Sequence, residues 1–326
     1  MIWVGILGPK GHFREELSKL VAGHRSAQIS TMMDLQELYD VEGYMYRSYD
    51  AMPGYRRMVN AVKKSDIVFN GLSGAIAEDI CSKALSFGKR VIDISNAYIG
   101  GGLEGRACSA YPGSVYGLSE LYKDKMKAAS IAANPSSYCA GMLLGLAPLA
   151  AGNLVDMDTA NIESKSGITS LRRDDKLAET DMTVNGGTKI YKMDSSDYAE
   201  EVNEQMHTLF GRRVSVSYAA YVIPGIKGIT TTIKINPGTD LCGSNVPDIY
   251  RDFYKHSPFV EVCSKGTINE RRNSLGKCFC KLKVSVNESC SNIIVTTMLN
   301  DSVRGAASQA IQTMNLMYGI DGKIGL

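Results

Sequence analysis

The chain has 326 residues, 44% hydrophobic and 21% charged, with 36 basic against 34 acidic side chains and a formal charge of +2. That length and composition suit a globular protein of two domains. The near-balance of charge gives no electrostatic case for nucleic acid, and no apolar run approaches the roughly 20 residues that cross a bilayer. The opening MIWVGILGPKG reads as a first β-strand rather than a cleaved leader, so the expectation is a cytoplasmic protein.

Strand and helix signals alternate through the first half. IWVGIL is a strand running into a glycine turn, and EELSKLVAGH carries apolar residues at helical spacing. AQIST follows as a short strand, YRRMVNAVKKS as a helix, DIVFNGL as a strand, AIAEDICSKALSFG as a helix closed by glycine, and KRVIDIS as a strand. Such alternation predicts βαβ units around a parallel sheet. Beyond about residue 155 the texture changes: TANIESKSG, KIYKMD, RVSVSYAAYVIP, GITTTIKINP, PFVEVCS and KCFCKLKVSVN are strand-like with few helices between them. A more antiparallel α+β domain is expected there. SVRGAASQAIQTMNLMYG returns to helix.

Gly5, Gly8 and Gly11 follow the first strand at spacings of three and enter a helix. Glycines at such a turn let the backbone approach a pyrophosphate, which rests on the N–H groups of the helix start. Gly5, Gly8, Lys10, Gly11, His12, Phe13 and Arg14 are therefore the candidate dinucleotide contacts of this loop. Ser30 and Thr31 stand at the end of the second predicted strand, where an acidic residue would favour NAD; a hydroxyl tolerates a 2′-phosphate and leans the reading to NADP. The eight cysteines and four histidines have no ligand spacing. Cys278 and Cys280 form C-x-C rather than C-x-x-C and read as strand cysteines, so no metal is expected.

ANPSSYCAG, residues 133–141, joins a strand end and an Asn-Pro turn to a helix start and is a natural seat for a nucleophile. Ser137 and Cys139 are the candidates. A serine needs a general base, and no histidine lies nearby in the sequence. Two residues along a helix turns a side chain by about 200°, so Cys139 points away from the place of residue 137 and belongs to the core unless the turn is rebuilt.

Several segments, in order along nearly the whole chain, resemble N-acetyl-gamma-glutamyl-phosphate reductase. VGILGPKGHFREEL is similar to its nucleotide loop, VIDIS to its DLS strand end, and VYGLSELYKDKMKAASIAANPSSY to its Tyr-Gly-Leu-x-Glu segment and ANPGCY turn. IESKSGITS resembles its Ser-Lys-Ser-Gly loop, IPGIKGITTTIKI its P-x-x-R-G strand and RGAASQAIQTMN its closing helix. The resemblance implies an α/β fold: a Rossmann-type doubly wound parallel sheet over residues 1–145 and 301–326, with a mixed α+β substrate and dimerisation domain over 146–300. It implies NADP as cofactor, a small-molecule substrate and a homodimer or homotetramer. It also adds Ser73, Gly167 and Arg304 to the cofactor contacts, and Asn134, Ser136, Lys165, Ser166, Arg172, Tyr198 and Glu201 to the substrate contacts.

The match departs where the family's chemistry is centred. The family cysteine, which attacks the acyl phosphate to form a thioester, aligns with Ser137, and the glycine before it with Ser136. The family histidine aligns with Tyr221, and a His-x-His-x-Pro-Glu element with the segment containing Tyr198 and ending at Glu201. An expected arginine is lost at Ala97–Ile99, the third glycine of the loop becomes Arg14, and a later glycine pair becomes Ser170 and Arg172. Arg172, Arg173, Lys165 and Lys227 read as a new anion-binding surface or as solvated charges. A tyrosine donates a proton to a developing alkoxide, so Tyr221 and Tyr198 suit direct hydride transfer to a carbonyl or imine, or else fill the space of lost ligands. Three functions follow: an NADP-dependent oxidoreductase of altered chemistry, the family reaction through a relocated Cys139, or a non-catalytic scaffold.

Overall fold

The computed structural model describes residues 1–34, 53–95, 113–167, 188–193, 197–224, 228–238, 241, 245–263, 278–300 and 303–326. Arg172, with Ala97–Ile99, Ser170, Arg173 and Lys227, lies outside them. The chain forms two compact units, residues 1–135 with 306–326, and residues 136–305.

The first unit holds β1 (Ile2–Leu7), α1 (His12–Ala22), β2 (Ala27–Met33), α2 (Pro53–Lys64), β3 (Ile67–Asn70), α3 (Ala75–Ser86), β4 (Arg90–Asp93), β5 (Ser114–Tyr116), α4 (Ser119–Met126) and β6 (Ile131–Ala133). Six strands make one sheet in the order β2-β1-β3-β4-β6-β5, with every pairing parallel. Helices on a parallel sheet bury its central strands on both faces, which is why all of Ile67–Asn70 is buried. From β1 the chain goes first to one side and then to the other, so the topological switch lies between β1 and β3. Ligands of doubly wound sheets bind beyond the strand ends at that point.

The closing helix (Ser308–Met317) is buried along almost its whole length although half of it is polar. Burial is tolerated because the polar groups are matched. Gln309 donates to Asn134 Oδ1 at 3.1 Å, Thr313 to the Gly117 carbonyl at 3.3 Å, and Asn315 to the Ile324 carbonyl at 2.8 Å. Tyr318, just beyond, lies under the Arg90 guanidinium and donates to the Asp66 carbonyl at 3.0 Å. Burial raises its phenol to about 12; Arg90 opposes that shift and Asp66 adds to it. The folded state therefore holds this proton more tightly than the unfolded chain, whose tyrosine titrates near 10. Stability from this group is complete below pH 10 and is lost as pH rises through 12. Tyr318→Phe is expected to flatten the decline in stability between pH 10 and 12, read by denaturant titration at each pH.

The second unit contains α5 (Ser137–Ala151), β7 (Ala160–Ser166), β8 (Lys189–Met193), α6 (Asp197–Phe210), β9 (Val216–Val222), β10 (Ile229–Ile235), α7 (Val246–Phe253), β11 (Val260–Val262), β12 (Cys280–Val286) and β13 (Ile293–Leu299). Its seven-stranded mixed sheet runs β11-β12-β13-β10-β7-β9-β8, mostly antiparallel. Strand β7 alternates strictly: Ala160, Ile162, Ser164 and Ser166 are buried, while Asn161, Glu163 and Lys165 between them are exposed.

Helix α5 is apolar all round and buried from Tyr138 to Ala150, the pattern of a helix enclosed in a core. Pro148 inside it has no N–H for the carbonyl four residues back, Leu144. Tyr254 Oη donates to that carbonyl at 2.6 Å, and Tyr250 Oη to the adjacent Gly145 carbonyl at 2.5 Å. Burial holds the Tyr250 phenol well above its usual range, so it remains a donor. Tyr254→Phe strands a buried carbonyl and is expected to cost about 1–3 kcal/mol, measured as a lowered urea midpoint at unchanged slope.

Candidate functional site

In the first unit the loops after β1 and β3 meet at the switch point. Gly8 has φ +146°, and a Cβ there would lie 2.9 Å from the Gly71 backbone, so only glycine lets the two loops close on each other. Gly11 precedes α1, and a Cβ on it would meet nothing within 4 Å. Helix α1 has no side-chain cap at this end, and open space at a helix start of this kind is compatible with a pyrophosphate resting on the N–H groups. Lys10 and His12 are exposed at its rim, with His12 3.9 Å from Glu15. Phe13 is half-buried on α1, and Ser73 is exposed in the loop after β3. Arg14 Nη1 donates to the Gly8 carbonyl at 3.1 Å. The guanidinium is thus tied to the loop's own backbone.

Ser30 lies within β2, at an irregularity of its pairing with β1. The β1–β2 register passes from Val4 opposite Ile29 to Gly5 opposite Thr31, so Ser30 is the extra residue of a β-bulge. Its hydroxyl donates to the Val4 carbonyl at 3.0 Å and lies 2.8 Å from Ser65 Oγ. Strand β2 continues to Met33, beyond the expected end at Thr31, and the residue that leaves it is Asp34, 4% exposed.

In the second unit Ser136 caps α5: its extended backbone turns the chain and its Oγ accepts the Cys139 N–H at 3.2 Å. Ser137 is the first helical residue, half-exposed, and packs on Gly305 in the turn Val303–Ala307. A Cβ at 305 would fall 2.0 Å from Ser137 Oγ and 2.5 Å from its Cβ. Cys139 is fully buried, with its thiol 3.8 Å from the Tyr198 carbonyl. A thiol so enclosed is a packing group rather than a nucleophile.

The remaining positions separate. Tyr198 is stacked on Tyr138 at 5.1 Å and meets Tyr218 edge-on at 6.2 Å, in the core beside buried Glu201. Ser166 is buried and 2.7 Å from Tyr138 Oη. Lys165 pairs in register with Tyr221 on the opposite face of the sheet, and its ammonium reaches Glu163 at 3.2 Å in solvent. The sheet therefore stands between Tyr221 and helix α5. Gly167 donates its N–H to the Gly228 carbonyl at 3.1 Å. Arg304 is buried with its guanidinium 5.3 Å from the centre of the Phe259 ring. Asn134, in the first unit, is buried with Nδ2 on the Ala306 carbonyl and Oδ1 on Gln309, which makes it a clamp on the closing helix. Among the described residues no group of three or more His, Cys, Asp or Glu could hold a metal, and no helix is long and apolar enough to cross a membrane.

These features can be set beside known proteins. The family described as semialdehyde dehydrogenase, dimerisation domain, matches residues 137–301. N-acetyl-gamma-glutamyl-phosphate reductase of Desulforudis audaxviator (strain MP104C) is 27% identical over 347 residues, covering 100% of this chain and 98% of that protein. The enzyme of the same name from Thermoanaerobacter sp. (strain X514) is 28% identical, with the same coverage. Aspartate semialdehyde dehydrogenase II of Vibrio cholerae shares the fold, with TM-score 0.70 at 15% identity, over 98% of this chain and 99% of that one. Its complex with ASA gives 0.69 at 16%, over 98% of each. The chain belongs to the semialdehyde dehydrogenase family.

Proposed function

We propose that this chain is a nicotinamide-dinucleotide oxidoreductase of the semialdehyde, imine or acyl-phosphate class that works without a thioester at the start of α5. The likeness to full-length acyl-phosphate reductases supports the substrate class, an NADP-type cofactor and a homo-oligomer built on the second unit. The glycine crevice supports dinucleotide binding. One observation carries the altered chemistry: Ser137 stands where the family thiol is expected, and the nearby Cys139 is sealed in the core.

The bound dinucleotide would supply a hydride. The chain's part is to hold the pyrophosphate on the α1 N–H groups and Gly11, and to present a carbonyl or imine that accepts hydride directly. An oxyester on Ser137 is a poorer hydride acceptor than a thioester, and no histidine lies near Ser137 in the sequence. A second reading, a non-catalytic dinucleotide-binding homologue, is favoured by the placement of the tyrosines: Tyr198 is packed away and Tyr221 faces away from α5. Calorimetric titration with NADH and NADPH, followed by a turnover screen over semialdehydes, imines and acyl phosphates, separates the readings. Binding with turnover supports the first and binding without turnover the second. A folded protein that binds neither dinucleotide overturns both.

A further inference from the structure

We propose that Asn70 is a positioning residue of the dinucleotide crevice: its side-chain amide, oriented by Asp93, holds the loop after β3 in the form that receives the cofactor. The inference rests on the dinucleotide reading of the β1–β3 crevice and deepens it.

Position comes first. Asn70 ends β3 and Asp93 ends β4, directly opposite each other in the parallel register. Both side chains are fully buried. Strand β3 lies on the switch side of β1, so the loop of residues 71–74 is one wall of the crevice. That loop is bonded to the strand that carries the glycine turn: the Gly71 N–H donates to the Leu7 carbonyl at 2.6 Å. Ser73 stands exposed on it.

Chemistry gives the role. Oδ1 of Asn70 accepts the Leu72 N–H at 3.3 Å, which fixes the start of the loop. Nδ2 donates to the Ala77 carbonyl at 3.4 Å, in the first turn of α3, and to Cys81 Sγ at 3.2 Å. One amide thus ties both ends of the loop. It does so in a single orientation, because a flipped amide would set its NH2 group against the Leu72 N–H. Asp93 selects that orientation. Its Oδ1 lies 3.1 Å from Nδ2 and also accepts the Ser95 N–H at 3.3 Å and the Ser95 hydroxyl at 2.6 Å. An oxygen so supplied with donors must face the NH2 end of the amide. A buried polar pair carries a desolvation cost that an apolar pair in the same register would not, so its place beside the crevice points to the loop rather than to the core.

The test is calorimetric titration of the full chain with NADP⁺ and NAD⁺ at about pH 8 and about pH 6, repeated on Asn70→Asp, Asn70→Ala and Tyr254→Phe. Asn70→Asp keeps an acceptor for Leu72 but sets two carboxyl groups about 3 Å apart, which do not both ionise readily. At the higher pH their repulsion should disturb the loop and weaken binding by on the order of tenfold. At the lower pH a shared proton restores a donor toward Asp93, and most of the loss relative to the native chain should be recovered. Asn70→Ala has no such proton and should bind weakly at both. Tyr254→Phe, destabilised in the second unit, should bind as the native chain does, which separates loop positioning from lost stability. Circular dichroism and melting confirm that each variant is folded; if Asn70→Asp is not, Asn70→Ala against Tyr254→Phe carries the comparison. Folded Asn70 variants that bind as tightly as the native chain overturn the inference while leaving the crevice reading intact. A loss in Asn70→Asp that acid does not reverse overturns the role of Asp93. No binding of either dinucleotide by the native chain removes the cofactor reading itself, and the inference with it.

Discussion

Gly305→Ala is expected to destabilise the second unit by about 3 kcal/mol. The added methyl would lie 2.5 Å from Ser137 Cβ, a distance that no rotation of the serine relieves, and 3.2 Å from Leu299 Cδ1. Either the turn Val303–Ala307 or the first turn of α5 must move. Removing the opposing side chain makes the claim specific. Ser137→Gly alone should cost no more than about 1 kcal/mol, the ordinary helix penalty, and Ser137→Gly with Gly305→Ala should recover most of the loss. The two changes should then be strongly non-additive in a denaturation cycle. A single Gly305→Ala change that leaves stability unaltered would show that Ser137 and the turn are not in contact.

The second large effect concerns reactivity. Ser137→Cys places a thiol at the first position of a 15-residue helix, where the N–H groups and the dipole stabilise a thiolate. That thiol should alkylate with iodoacetamide at least about 100-fold faster than Cys139, which reacts only when the core opens. Peptide mapping is needed, because Cys263 and Cys278 are partly exposed. Burial and Glu261 raise the Cys263 thiol, so it should label slowly near neutral pH. Rapid labelling of Cys139 in the native chain would mean that the start of α5 opens readily.

Much of this was legible in the sequence, for identifiable reasons. Apolar periodicity shifts from β/α alternation to closely spaced strands near residue 155, and the two kinds of sheet follow from that. The helical rotation between residues 137 and 139 pointed Cys139 inward, as the structure has it. Other features depended on long-range geometry. The bulge at Ser30 arises from pairing with β1 and a hydroxyl contact to Ser65, 35 residues away; no local pattern announces it. Tyr221 was placed by alignment with a catalytic histidine, but the strand register that puts it beside Lys165 is a tertiary fact. The resemblance implies a substrate contact at Asn134, and its hydrogen-bond partners Ala306 and Gln309, more than 170 residues downstream, come only from the fold. The resemblance aligns Ser137 with the family's cysteine, while its closeness to Gly305 comes only from the fold.

The most direct test of the central claim is incubation of the native chain with N-acetyl-gamma-glutamyl phosphate without reduced dinucleotide, followed by digestion and mass mapping. Covalent catalysis leaves an acyl-enzyme that accumulates when no hydride is available. The expected result is no acyl group on Ser137 or Cys139, with acylation at residue 137 appearing in Ser137→Cys. An acyl adduct on either residue of the native chain would contradict the account and restore the covalent route.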